Sequence, residues 1–137
     1  MKKVLLFLLT ACALFGASQE GYEVYKAKCS MCHIENISKV EVKRIFKSMK
    51  APPMVEVANR LKSNIIIGDE DEDVHRKVVT LFIKNYIDNP QVEYTMCEPM
   101  AVERFGVMPS QKGKLTEEQK EAVAEWIYDR FEGEEFK

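Results

Sequence analysis

The chain has 137 residues, which suits one domain and leaves little room for a second. At 46% hydrophobic and 31% charged residues it carries enough apolar material for an ordinary core. Its formal net charge is −2; losing Lys2 and Lys3 with a leader leaves 18 Lys and Arg against 22 acids, or −4, a balance that disfavours nucleic acid as a partner.

The amino terminus reads as a targeting segment. Lys2 and Lys3 precede an apolar run from Val4 to Gly16, and Ala17, Ser18, Gln19 and Glu20 return the chain to polar character. This pattern predicts a signal peptide over residues 1–18, with Gly16 and Ser18 as the small residues of a cleavage site before Gln19. The run is too short for a membrane span, which needs about 20 residues. Leu9-Thr10-Ala11-Cys12 also resembles a lipobox, giving the alternative of a lipoprotein signal over 1–11 with a lipidated Cys12. Ala13, Leu14 and Phe15 fit a continuing signal core better. A membrane enters only through lipidated Cys12 or a retained leader, and the exported domain is expected over 19–137, in the periplasm or on its membrane face.

The remaining pattern is helical nearly throughout. A first helix is expected from about Gln19 to about Met31, with Tyr22, Tyr25 and Cys29 on neighbouring faces. A second starts at Ser38, where Ser38-Lys39-Val40-Glu41 reads as a capping box. Val42, Ile45, Phe46 and Met49 form its stripe, and Pro52 and Pro53 stop it. A short helix is expected over Val55 to Lys62. In the next, Asp73 to Asn89, Val74, Val78, Leu81, Phe82 and Tyr86 recur at helical spacing. Residues 90–114 read as mostly irregular, with one helical turn from Pro99 to Gly106. The last helix is capped by Thr116 with Gln119 and buries Val123, Trp126, Ile127 and Phe131. No pair of strands is expected; Ile65-Ile66-Ile67 is short and ends at Gly68.

Cys29-Ser30-Met31-Cys32-His33 is Cys-x-x-Cys-His, the attachment signature of c-type haem. Two thiols about one helical turn apart can each add to one vinyl group, and the adjoining His33 can offer an imidazole nitrogen to the iron. A thioredoxin-like pair would want a βαβ surround. A zinc site would need four ligands, and only Cys97 and His75 remain, without partner spacing. A disulfide between Cys29 and Cys32 would need a strained tight loop.

With Gly21 and Tyr25 before this motif, Ala51-Pro52-Pro53-Met54 after it, Gly106-Val107-Met108-Pro109 and Leu115-Thr116-Glu117-Glu118 towards the end, and Trp126-Ile127 on the last helix, the chain resembles a class I monohaem cytochrome c over essentially its whole mature length. The resemblance implies an all-α, cytochrome c-like fold of about four to five helices around one covalently bound haem c. It implies Cys29 and Cys32 as attachment points, His33 as axial ligand, and Met108 as sixth ligand through soft sulfur. Met54, Met96 and Met100 are rivals, and His75 would give bis-His ligation. The resemblance also implies a proline carbonyl, from Pro52 or Pro53, bonded to the other nitrogen of His33. The first and last helices are expected to cross with Gly21 and Tyr25 against Trp126 and Ile127.

The implied activity is one-electron transfer by a carrier, not an enzyme, that docks transiently to redox partners. Were Met108 not a ligand, the open iron would bind a small gas or reduce peroxide; a third reading is a haem c subunit of a larger respiratory or sulfur-oxidising complex. Departures from the family's simplest pattern are Ile34 after the motif, where Gly is common, and a long stretch from Val92 to Phe105. That stretch holds Cys97, read as a core thiol, a free thiol near the haem edge, or a dimer link to a second copy. Asp69-Glu70-Asp71-Glu72-Asp73 lacks the Gly and Glu of a calcium loop and reads as a solvated helix start, with a docking patch for a basic partner as the runner-up.

Overall fold

The computed structural model describes residues 19–68 and 71–137. The expected leader with Cys12, and Asp69 and Glu70 of the acid run, lie outside the described residues. Within them the protein is all-α, with no strand. Helix α1 is α-helical over 19–24 and continues as a π-helix over Tyr25–Cys29. It is followed by α2 (Lys39–Ile45), α3 (Met54–Asn64), α4 (Glu72–Asp88), α5 (Pro99–Phe105) and α6 (Glu117–Arg130), with a 3₁₀ turn at Val92–Tyr94.

Six helices form where about four to five were expected, the turn expected from Pro99 to Gly106 counting as a helix of its own that Gly106 (φ 67°) ends. Proline there supplies a preset φ and gives up an N–H that would be unpaired anyway. Both capping boxes form. Ser38 Oγ accepts from Glu41 N at 3.2 Å while the Glu41 carboxylate accepts from Ser38 N. Thr116 Oγ1 accepts from Gln119 N at 3.2 Å while Gln119 Oε1 accepts from Thr116 N at 3.1 Å. Helix α2 is shorter than expected: it ends at Ile45, leaving Phe46 and Met49 beyond it. Helix α3 extends past both expected ends. At the start of α4, Asp71 Oδ1 accepts from Asp73 N and Val74 N, which makes the described part of the acid run a helix cap.

Helix α6 is the centre of the molecule, burying Ala122, Val123, Ala124, Trp126, Ile127 and Tyr128. Helix α3 lays Val55, Ala58 and Leu61 into the same core, and α4 contributes Val79, Ile83 and Ile87. The stripe expected on α4 is therefore displaced. Val74, Val78 and Leu81 stay exposed, at 44%, 39% and 54%, and the adjacent face meets α6. Polar pairs set that choice. Arg76 donates to both Asp129 oxygens (3.0 and 2.7 Å), Lys84 pairs with Glu121, and Lys120 with Asp88 at 2.6 Å. Partner numbers on α6 fall as those on α4 rise, so the helices run antiparallel. The partly exposed Arg76 and Lys84 pairs contribute at most about 1 kcal/mol each, whereas the Lys120–Asp88 pair is largely buried. Their role is register, which selects Val79, Ile83 and Ile87 over their neighbours. No helix among the described residues is long and apolar enough to cross a membrane.

Helix α1 crosses α6 where the sequence places Gly21. A Cβ there would lie 2.3 Å from the Ala122 carbonyl oxygen and 2.5 Å from Trp126 Cβ. One turn on, Tyr25 stacks on Trp126, with ring centroids 4.6 Å apart. Gly21→Ala is expected to destabilise the protein by about 2–3 kcal/mol in urea denaturation, since the clash is with main chain that must move. Gly68→Ala, which meets nothing within 4 Å, should stay within about 0.5 kcal/mol.

Candidate functional site

The Cys-x-x-Cys-His turn hangs from the end of α1. The π-helix widens its last turn, so that Ser30 N donates to Tyr25 O at 2.9 Å, five residues back. The Cys29 carbonyl then accepts twice, from Cys32 N at 3.0 Å and His33 N at 2.9 Å. Cys29 and Cys32 are half-buried free thiols, not a disulfide. Burial, and then the neighbouring Cys32, pushes the Cys29 thiol up to about 11.

His33 is gripped at two points. Its main-chain carbonyl accepts from the buried Tyr25 hydroxyl at 2.7 Å, and its ring Nδ1 lies 2.8 Å from the Pro52 carbonyl oxygen. A carbonyl only accepts, so Nδ1 carries the proton and donates. In the neutral ring this leaves the lone pair on Nε2. Burial holds the His33 imidazole below its ordinary range, against the opposing pull of the Pro52 bond.

The choice of Pro52 over Pro53, open in the sequence, follows from where α3 begins. Pro53 is its N-cap, and the Pro53 carbonyl is taken by Glu56 N and Val57 N at 3.1 Å each. The Pro52 carbonyl precedes the helix and points to His33. The first two N–H groups of α3, which no residue of the helix can satisfy, go to the chain leaving the motif: Met54 N to Ile34 O at 2.7 Å and Val55 N to Glu35 O at 3.1 Å. Arg130 of α6 holds Glu35 at 2.8 Å and Glu134 at 2.6 Å. Asn59 Nδ2 donates to the Glu134 carbonyl at 3.0 Å, closing a clasp over residues 35 and 36.

The other expected ligands fall in different settings. Met108 lies between α5 and α6, half-buried against the core. The segment just after it is pinned to the end of α4, Ser110 Oγ donating to Asp88 O at 2.6 Å and Gln111 N to Ile87 O at 2.8 Å. Met100 is 69% exposed on α5, Met96 is half-buried against the core, and Met54 is buried in the first turn of α3. His75, the residue that would give bis-His ligation, is half-buried with both nitrogens engaged. Nε2 donates to the Ile65 carbonyl at 3.0 Å, and Nδ1 accepts from the Tyr128 hydroxyl at 2.8 Å. Cys97 is half-buried beside a cavity of about 30 Å³ lined by Pro52, Val57, Arg60 and Ala101. A larger cavity of about 320 Å³, between Lys62, Ile65, Glu72 and His75, includes no residue of the motif. Among the described residues no three His, Cys, Asp or Glu side chains converge as a metal site.

Tyr25 as a hydrogen-bond donor to His33 was not legible in the sequence, where it reads only as a packing aromatic. Its hydroxyl is pushed up to about 12, by burial first and by the Glu35 carboxylate second.

The site is thus a Cys-x-x-Cys-His turn locked into a small all-helical protein by the Pro52 and Tyr25 bonds. No protein-family model and no solved structure matches the chain. A protein of Aquifex aeolicus (strain VF5), named only "Uncharacterized protein", is 40% identical over 144 residues, spanning 96% of this chain and 89% of that one. The chain belongs to the same family as that protein.

Tyr25→Phe keeps the stack on Trp126 and loses one buried hydrogen bond, an expected cost of about 1–1.5 kcal/mol. The folded state keeps the Tyr25 proton up to about pH 12, whereas an unfolded tyrosine releases it near 10. The unfolded state therefore binds fewer protons in that window, and stability falls as pH rises from about 10 to about 12. Denaturation across this range should give a shallower fall for Tyr25→Phe than for the parent protein.

Proposed function

We propose that the protein is a class I-type monohaem cytochrome c, a periplasmic one-electron carrier with one haem c attached through Cys29 and Cys32 and ligated by His33. The observation that carries this reading is the geometry of His33: its Nδ1 proton is committed to the Pro52 carbonyl at 2.8 Å, which leaves Nε2 as donor to a metal beside two free thiols. An imidazole restrained in this way has a fixed tautomer and raised basicity towards iron.

The remaining residues fit the same group. Helices α2 and α5 bury no residue; Phe46, just past α2, meets Phe105 of α5 edge to face at 5.5 Å, and Ile45 and Val102 stay at least partly exposed. Such side chains suit a large apolar macrocycle better than water. For the sixth ligand, His75 has no nitrogen to spare and Met100 is the most exposed of the rivals. Met108, half-buried just ahead of the pinned Ser110, is the better candidate. When bound, the haem would supply exchange of one electron between ferric and ferrous iron, at a potential raised by a His/Met pair. The chain's own part is to hold both ligands, exclude water and present a surface for brief contact with redox partners; no side chain acts as acid, base or nucleophile.

Expression of the full chain in a host with working haem-maturation machinery tests the reading. The expected product gains the mass of one haem and shows the sharp reduced bands of low-spin haem c. Cys29→Ser with Cys32→Ser should abolish covalent haem. Met108→Ala should bind carbon monoxide rapidly where the parent is inert. A colourless parent overturns the proposal, and rapid carbon monoxide binding by the parent replaces the carrier with the open-iron reading.

A further inference from the structure

Residues 34–51 leave and rejoin the molecule at a base made by His33 Nδ1 to Pro52 O and by Met54 and Val55 N–H to the Ile34 and Glu35 carbonyls, and are tied down further by Lys39 N to Lys137 O at 2.6 Å, Asn36 to Glu134, and Arg104 to the Lys47 and Met49 carbonyls. Helix α2 sits on this excursion and contributes no buried residue. Its outer face is unusual. Lys39, Val40, Lys43, Arg44 and, just past the helix end, Lys47 follow one another at i, i+1, i+4, i+5 and i+8, a single helical face, and all five are exposed. Val42, Ile45 and Phe46 occupy the opposite side.

Like charges at i and i+4 destabilise a helix, and here Lys39, Lys43 and Lys47 repeat at that interval. Lys39 Nζ lies over the Phe136 ring, 5.3 Å from its centroid, and among the described residues Lys43 and Lys47 have no ion-pair partner. Of the two acids in the excursion, Glu35 is held by Arg130 and Glu41 is taken up in the cap on Ser38. Among the described residues none of Lys39, Lys43, Arg44, Lys47 and Lys50 forms an ion pair, whereas Arg60, Arg76, Lys84, Lys120 and Arg130 all do. Charge is also divided along the chain. Residues 51–137 hold 18 acids against 11 Lys and Arg, and residues 34–51 hold two acids against five cations. At physiological salt a partner senses charge within about 8 Å, so it meets this face as cationic although the whole protein is anionic.

We propose that the outer face of α2 is a docking surface for an acidic patch on a partner protein, with Val40, 67% exposed, as the apolar contact at its centre. The inference rests on charge and packing and does not require the haem. A partner carboxylate would relieve the Lys39–Lys43–Lys47 repulsion and would also be oriented by the opposite charge of the rest of the molecule. An anionic lipid surface is the less suitable occupant: seven residues with one exposed apolar side chain on the cationic face offer little to insert into a bilayer.

The test uses the full chain with immobilised poly-L-glutamate as the acidic probe and phosphatidylglycerol vesicles as the lipid probe. Lys43→Glu with Lys47→Glu should weaken poly-L-glutamate binding by about tenfold or more, and salt should weaken the parent in the same direction. Lys77→Glu with Lys112→Glu changes net charge by the same amount elsewhere and should alter binding less than about twofold. Circular dichroism and the thermal midpoint of both doubles should match the parent, because α2 supplies nothing to the core. Equal losses in the two doubles, or no binding by the parent, overturn the proposal. Tighter binding to the vesicles than to poly-L-glutamate overturns it in favour of a membrane surface. Haem content, read from the same samples by absorbance, reports separately on the carrier reading.

Discussion

The hydrogen bond between His33 Nδ1 and the Pro52 carbonyl oxygen orders more of this protein than its single 2.8 Å contact suggests. It fixes which ring nitrogen carries the proton and closes the chain into an 18-residue excursion between its two ends. It is available only because α3 starts at Met54: the Pro53 carbonyl serves the helix, and the Pro52 carbonyl is left to face outward. The bond, the cap of α3 by Ile34 and Glu35, and the direction in which the motif leaves α1 are three parts of one constraint. Tyr25 extends it to the core, since the same side chain that grips the His33 carbonyl stacks on Trp126 at the centre of α6.

Much of this was legible in the sequence where the signal is local. Capping boxes need residues three apart, and Ser38 with Glu41 and Thr116 with Gln119 both formed as read. The Pro99 to Gly106 helix was legible from its two ends, which stand where they were read. The Gly21 and Trp126 crossing was expected from the family resemblance, and the lack of room for a Cβ at Gly21 gives its physical reason. The signal failed where pairing partners decide the outcome. Helix α4 carries apolar residues on two adjoining arcs, and periodicity does not say which one meets α6; Arg76, Lys84 and Asp88 do so through partners 32 to 53 positions away. The π-turn, the carbonyl caps of α3 and the double engagement of His75 are main-chain or tertiary events with no signature in residue type.

The polar contacts fall into two populations with different uses. Along α4 and α6, and around Arg130, charges are matched within the molecule and serve alignment. Around α2 they are unmatched. The division follows burial in part: Arg60 and Arg76 are half-buried and paired, whereas Lys39, Lys43, Arg44 and Lys47 are exposed.

The excursion is sealed at its base and its helix is absent from the core, so outside the buried Met49 and Ala51 and the bonds from Arg104 its length carries little thermodynamic weight. Doubling a flexible closed loop costs only about 0.6 kcal/mol. Among relatives, residues 34–51 could therefore lengthen, shorten or change sign while Gly21, Trp126 and the His33 grip stay as they are. Evolution of what the molecule meets is uncoupled, in this architecture, from preservation of what holds it folded.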